Sequence, residues 1–187
     1  MLGAIRSLGK SLFGACFGGW WMHSGAKPKG HWVWECVNPD GSIAWREEYE
    51  NMTTNAGLDH QIGVELASTT QITTWYAGLI DNTGYSGIAA SDTSGSHSGW
   101  TESTAYTESV RQTWTPGSVS GQSVTNPTAM SFSINATVTI KGGFLISNST
   151  KGGSTGTLFA TGLFGSAQSM VNGQSLKATY TYSMTGS

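Results

Sequence analysis

The chain has 187 residues, a formal net charge of −2, 26 glycines, 8 tryptophans and 2 cysteines. Charged residues make up 11% of it, well below the roughly 25% of ordinary soluble proteins. This composition excludes a disordered chain, which would be poor in aromatic residues, and a disulfide scaffold, which would be rich in cysteine. It indicates one turn-rich, mainly β domain, with or without an arm.

The charges are segregated along the chain. Residues 1–34 carry 4 basic residues and no acid, and so do residues 109–187, whereas residues 35–108 carry all 11 acids and one base. Such asymmetry favours self-assembly, because a basic part of one subunit can meet an acidic part of another. The alternative is that these charges only solvate the surface. The basic residues are too dispersed to indicate binding of nucleic acid.

Residues 1–30 predict an N-terminal arm or a short amphipathic helix used in assembly. Apolar residues recur near helical spacing at Leu2, Ile5, Leu8, Leu12 and Phe13. The apolar run 12–22 is not followed by the small-residue cleavage site of a signal peptide, and it is shorter than the ~20 residues that span a bilayer. A helix lying on a membrane surface is the alternative to an arm that packs against a neighbouring subunit. Residues 26–30, with Pro28, are the predicted hinge.

Residues 31–50 predict a β-hairpin at the start of a domain that spans residues 31–187. Trp32, Trp34 and Cys36 alternate with polar or smaller residues and therefore share one face. The sequence Asn-Pro-Asp-Gly at 38–41 is a strong turn signal, because proline presets φ and glycine accepts a positive φ. Both faces carry tryptophan or acid, so we expect the hairpin to lie between two surfaces.

Further elements follow in order. Asn55 is the predicted N-cap of a helix over 56–66, with Asp59 in its first turn and an apolar stripe at Leu58, Ile62 and Leu66. Strands are predicted at 71–81 and 106–114, separated by a polar loop at 82–99.

The C-terminal part reads as a series of strands. Residues 131–141 alternate without interruption between apolar and polar side chains, which predicts one strand with one apolar face. Shorter strands are predicted at 144–147, 158–164 and 176–184, with a hairpin turn at Asn172-Gly173. The predicted fold is mainly β, an antiparallel β-sandwich or jelly-roll-like domain with one short helix and an extended N-terminal arm.

Catalytic motifs are weak. Asp92, Ser96 and His97 are the residue types of a hydrolase triad, but they lie in one Gly/Ser-rich loop without an oxyanion-hole motif. The favoured interpretation makes His97 a hydrogen-bonding loop residue beside Trp100. The sequence therefore predicts a protein that is not an enzyme.

Other clusters of acids and cysteines also favour structural roles. The acids Glu47, Glu48 and Glu50 are interpreted as a solvated or interface face rather than a glycosidase pair. Asp40 and Asp81 lack the dense carboxylates of a calcium loop. The two cysteines form no metal-binding pattern, and Cys36 is predicted to be a buried free thiol. We expect no cofactor and no metal ion.

Aromatic residues are concentrated in the first quarter of the chain. A monomer rarely exposes large apolar patches, so these side chains form either a core or an interface, where tryptophan is enriched. The interface is the favoured hypothesis. The predicted interface residues are Phe13, Phe17, Trp20, Trp21, Trp32, Trp34 and Trp45.

Five segments carry a resemblance to a known family. They are WECVNPDGSIAW at 34–45, NAGLDH at 55–60, TWYAGLID at 74–81, SHSGWTE at 96–102 and IKGGFLISNSTKGGSTGTL at 140–158. In this order and spacing the chain resembles tailed-bacteriophage virion structural proteins of the small β-rich, capsid decoration (cement) type. Residues 1–30 have no counterpart in that family.

The resemblance implies a non-enzymatic role in the virion, with no catalytic residues. The expected partners are the major capsid protein or other virion proteins and further copies of the chain, possibly as a trimer. Neither nucleic acid nor a membrane is an expected partner. One alternative is a tail, connector or fibre-attachment component of the virion; another is a carbohydrate-binding β-sandwich module that uses its tryptophans.

Overall fold

The computed structural model describes residues 27–186, and this part of the chain forms ten strands and one helix. The helix α1 spans Asn55–Leu66. The strands are β1 (Lys27–Val37), β2 (Ile43–Thr53), β3 (Trp75–Asp81), β4 (Glu102–Ser103), β5 (Gln112–Trp114), β6 (Ser123–Thr125), β7 (Met130–Ser133), β8 (Val138–Ile146), β9 (Leu158–Met170) and β10 (Ser175–Thr185). The prediction of a mainly β, antiparallel, sandwich-like fold with one short helix is confirmed. The predicted arm at 1–26 lies outside the described residues.

The strands form one continuous antiparallel path that folds into two layers. Its order is β4-β3-β8-β9-β2-β1-β10-β6, with β5 added beside β3 and β7 beside β10. Strand β2 pairs with β1 along most of its length, but only Met52 and Thr53 pair with β9. Because this junction is short, the β1–β2–β10 layer can turn and face the β3–β8–β9 layer across a shared core.

Trp34 lies at the centre of that core. Its ring stacks on Trp32 at 4.9 Å between centroids and meets the edge of Phe164 at 5.8 Å. On the opposite layer it lies over Gly143, where an added Cβ would be 2.3 Å from the indole ring. Glycine at this position of β8 is therefore what lets the two layers close over a tryptophan.

The prediction that Trp32 and Trp34 lie in an interface is wrong. Trp32 and Trp34 are both 0% exposed, because alternate side chains of β1 point at the opposing layer. Trp45 is partly buried and packs edge-on against Phe164, and its place in an interface stays a prediction. The other four predicted interface residues, Phe13, Phe17, Trp20 and Trp21, lie outside the described residues.

The predicted hairpin and its turn are present. The N–H of Gly41 donates to the carbonyl of Asn38 at 2.9 Å, and Gly41 has a φ of +87°. Cys36 is buried and free, as predicted. Within the described chain the hairpin covers one core rather than lying between two surfaces, because the other face of β1 is only half-buried.

The first strand begins earlier than predicted. Lys27 and Pro28 are already paired with Thr185 and Met184 of β10. Residues 27–30 are therefore the first part of a strand and not a hinge. The β-domain includes residue 27 rather than starting at residue 31.

Residues 131–141 do not form the single strand that their alternation predicts. Met130–Ser133 (β7) pairs with β10, whereas Val138–Ile146 (β8) pairs with β3 and β9. The chain crosses from one layer to the other between these two strands, and Ala136 is exposed there. The apolar/polar alternation continues through the crossover. Alternation shows that one face of a local segment is apolar, but it does not show which of the two layers that face packs against.

Helix α1 begins one residue earlier than predicted. Thr54 is the N-cap, and its Oγ1 accepts a hydrogen bond from the N–H of Gly57 at 3.1 Å. Asp59 does not fall in the first turn. Gly57 presses the helix against β9, where an added Cβ would be 2.4 Å from the carbonyl oxygen of Phe159.

We expect Trp34→Ala to lower the free energy of unfolding by about 3–5 kcal/mol, because it removes a large side chain and leaves a cavity between the layers. Chemical denaturation of the full chain measures this loss. Val171→Ala, in the β9–β10 turn where Val171 is 52% exposed, is the control and should stay within about 0.5 kcal/mol of the parent. Equal, small effects at both positions would contradict the central place of Trp34.

Candidate functional site

The hydrolase-like trio is not assembled. The Nδ1 atom of His97 lies 2.9 Å from the carbonyl oxygen of Trp100, and the two rings stack at 3.9 Å. Asp92 accepts a hydrogen bond from the indole N–H of Trp100 at 2.9 Å instead of orienting the histidine. Ser96 bridges only to the backbone of Thr93. The interpretation of His97 as a loop residue beside Trp100 is confirmed.

A buried ion pair that the sequence did not indicate lies under the same loop. Arg111 is 2% exposed, and its Nε and Nη2 atoms donate to the two carboxylate oxygens of Glu102 at 3.0 and 2.7 Å. The guanidinium also donates to the backbone carbonyls of Asn148 and Gly153, and Glu102 accepts from the N–H of Gly152. Each partner is satisfied by several hydrogen bonds, as burial of a charge requires.

This arrangement, which we call the Arg111 clamp (Arg111 and Glu102 with their backbone partners), ties β4 and the β4–β5 loop to the β8–β9 loop. It borders a cavity of about 260 Å³ that His97 and Trp100 also line. The charged groups of Arg111 and Glu102 are bound by each other and by backbone groups. The clamp therefore holds the β8–β9 loop against the outer face of the β3–β8–β9 layer.

Four further acids that the sequence singled out make contacts within the protein. Glu47 accepts from Gln168 at 2.8 Å, whereas Glu48 pairs with Arg46 and Glu50 with Lys29 on the surface. These three carboxylates are thus held by separate partners rather than paired with one another. Asp40 accepts hydrogen bonds from the side chain and backbone of Ser42, which lower the pKa of its carboxyl group.

A second concave feature of the described chain is an apolar groove beside helix α1, hereafter the α1 groove. It has a volume of about 750 Å³ and enters the sandwich between the two layers, at the end where β1 begins. Its lining includes Leu58, Ile62, Ile72, Trp75, Phe159 and Tyr182. The helix forms one wall, and the core aromatic side chains form the floor.

The helix is held at that wall by polar contacts as well as by Gly57. Gln61 donates from its amide to the hydroxyl of Tyr182, and burial raises the pKa of that phenol. His60 meets the edge of Trp75 at 5.6 Å and lies close enough to the N–H of Ile72 to accept from it. The groove is thus a built feature with fixed walls.

The predicted apolar stripe of α1 lies at the mouth of the groove rather than in the core. Ile62 is 59% exposed and Leu66 is 83% exposed. Gly57 sets this orientation, because its close approach to β9 leaves the stripe on the side away from the sheet. Large exposed apolar side chains at the rim of an apolar groove are typical of a contact surface.

The sequence indicated one wall of the α1 groove, through the apolar stripe of the helix. Leu58, Ile62 and Leu66 were predicted as a stripe, but the lining from β3, β9 and β10 was not predicted, because only the fold brings those strands to the helix. The predicted interface tryptophans of the hairpin lie in the core and not in the groove. Pro28 and Met184 place the start of β1 and the end of β10 at the groove.

Other site classes find no support in the described residues. Across 27–186, no set of three or more His, Cys, Asp and Glu side chains could hold a metal ion. In the same stretch, no helix has both the length and the apolar character needed to cross a membrane.

Arg111→Met should lower the free energy of unfolding by about 3–5 kcal/mol, because it leaves the carboxylate of Glu102 buried without its cation. The matched control is Arg46→Met, which removes ion pairs at half-exposed positions and should cost less than about 1 kcal/mol. Chemical denaturation measures both. A loss at Arg111 no greater than at Arg46 would show that the clamp does not hold the loops.

Comparison with known proteins assigns no family. No protein-family model matches this chain, and no curated protein matches it either.

Proposed function

We propose that this protein is a non-enzymatic structural component of a tailed-bacteriophage virion, and that it acts as a capsid decoration (cement) protein. In this role it stabilises the head through contacts with the major capsid protein and with further copies of itself. The observation that carries the proposal is the α1 groove, an apolar cleft with two exposed aliphatic side chains, Ile62 and Leu66, at its mouth. Such a surface is suited to a protein contact.

The segments that carry the family resemblance support a building-block role. Residues 34–45 form the β1–β2 turn with its flanking strands, residues 74–81 include β3, and residues 140–158 connect β8 to β9. Gly143, within the last of these, is the residue that accommodates Trp34. The residues of these segments therefore serve to build the sandwich and to close its loops.

The polar chemistry of the described chain is consistent with the same role. The carboxylate of Asp92, the imidazole of His97 and the guanidinium of Arg111 are all bound within the protein. The surface also offers apolar area beside α1.

A carbohydrate-binding role gains no support from the described tryptophans. Trp32, Trp34, Trp100 and Trp114 are buried, and Trp45 and Trp75 are only partly exposed. Binding of a sugar ring by stacking needs an open aromatic face. Among residues 27–186, the tryptophan rings are used to fill the two core clusters.

Replacing Ile62 and Leu66 together with aspartate should reduce incorporation of the protein into virions by about tenfold or more, because charges are placed where an apolar contact forms. Quantitative analysis of purified particles measures the number of copies. Val171→Asp, at a comparably exposed valine, is the control and should incorporate normally. Both variants should melt like the parent, since the altered side chains are exposed.

Copy number in the same particles tests the location. Hundreds of copies support a role on the capsid shell, whereas a dozen or fewer place the protein in the tail, connector or fibre attachment. Absence from purified virions, with normal expression, would contradict the proposed function.

A further inference from the structure

We propose that the α1 groove of one protomer binds residues 12–22 of a second copy, so that the protein self-assembles by exchanging its N-terminal segments. The inference rests on the proposed assembly function and names the partner of the groove. The occupant is a segment of known sequence that precedes the described residues and joins them at Lys27. Its apolar side chains include Leu12, Phe13, Phe17, Trp20 and Trp21.

The position of the groove brings it close to the start of the described chain. Pro28, the second residue of β1, lines the groove together with Met184, its partner in the β1–β10 ladder. The chain that precedes Lys27 therefore joins the described residues beside the groove. When two copies meet mouth to mouth, each segment lies next to the groove of the other, and a reciprocal, closed exchange results.

The chemistry of the segment matches the groove. The groove floor is formed by aromatic and aliphatic side chains such as Trp75, Phe159 and Tyr182. Its volume of about 750 Å³ has room for several large side chains. Buried aromatic anchors that fill a pocket contribute most to protein contacts. A run that contains two phenylalanines and two tryptophans supplies such anchors.

The charges beside the occupant complement those of the groove wall. Residues 12–22 carry no charge, but Arg6 and Lys10 precede them, and residues 1–26 contain no acid. Helix α1 carries Asp59 and Glu65 and neither lysine nor arginine, and Glu65 lines the groove. Basic residues next to the apolar anchors favour approach to an acidic helix by electrostatic steering.

The connection to β1 favours a second copy over the segment's own protomer. Lys27 is held in the ladder with Thr185, and Pro28 fixes its own φ and restricts the residue before it to extended backbone. Only residues 23–26 separate the proposed occupant from Lys27. A connection this short favours exchange between protomers.

Disulfide trapping in the full chain tests the proposal. Cys16 lies in the middle of the proposed occupant, and Cys36 is buried with a raised thiol pKa, so it does not compete. Ile62→Cys and Leu66→Cys place a second thiol at the groove mouth. Under mild oxidation we expect disulfide-linked dimers or larger species at one or both positions, at a yield about tenfold or more above that of Val171→Cys.

The controls distinguish exchange between copies from two other ways of forming a disulfide. Adding Cys16→Ser to the reactive variant should abolish the cross-linked species; their persistence would show that two grooves, and not a segment and a groove, had been joined, and would overturn the proposal. A disulfide within one chain would show that the segment occupies its own groove and would overturn the exchange. Yields no higher than that of Val171→Cys at both groove positions would overturn it too.

This test is independent of the virion. A protein found in virions that forms only intramolecular disulfides contradicts the exchange and leaves the proposed function standing. A protein that cross-links between copies but is absent from virions contradicts the proposed function and leaves the exchange standing.

Discussion

The packing of Trp34 against Gly143 is the contact on which the rest of the structure depends. It joins the β1–β2–β10 layer to the β3–β8–β9 layer at the point where both are fully buried. A tryptophan fits there only because the facing residue has no Cβ, and the ring then organises Trp32, Phe132 and Phe164 around it. Close packing of this kind leaves little freedom for the layers to shift.

The two faces of the β3–β8–β9 layer are covered in different ways. On the face away from the shared core, the Arg111 clamp binds the β8–β9 loop by charge-assisted hydrogen bonds, and a fully satisfied buried pair keeps that loop in a single arrangement. On the face toward the shared core, helix α1 covers only part of the opening between the layers. Because Gly57 seats the helix on β9, the aliphatic stripe at Ile62 and Leu66 is turned toward solvent, and the interior remains open as the α1 groove. One face is filled by the described chain itself, and the other leaves apolar surface open.

These features are consistent with the proposed assembly role. Asp92 and His97 make hydrogen bonds within their loop, and the apolar area that remains open lies where the described chain begins. Under the proposals made above, a subunit completes its own fold by accepting part of a neighbour. Stability of the shell and stability of the subunit would then be linked by mass action, as in other assemblies whose protomers share a core.

Local features could be predicted from the order of the residues alone: the strand faces of β1 and β10, the turns at Asn38–Gly41 and at Asn172-Gly173, and the presence of one short helix. These follow from side-chain period and turn chemistry, which act over a few residues. The folded chain was needed to learn that Trp32 and Trp34 face a second layer rather than a partner, that residues 131–141 divide between two layers, and that Arg111 meets Glu102. The physical reason is the same in each case. Periodicity shows that a face is apolar, but strands far away in the chain decide what covers that face. A glycine such as Gly143 or Gly57 has no side chain, so the sequence pattern does not indicate the close contact that it permits.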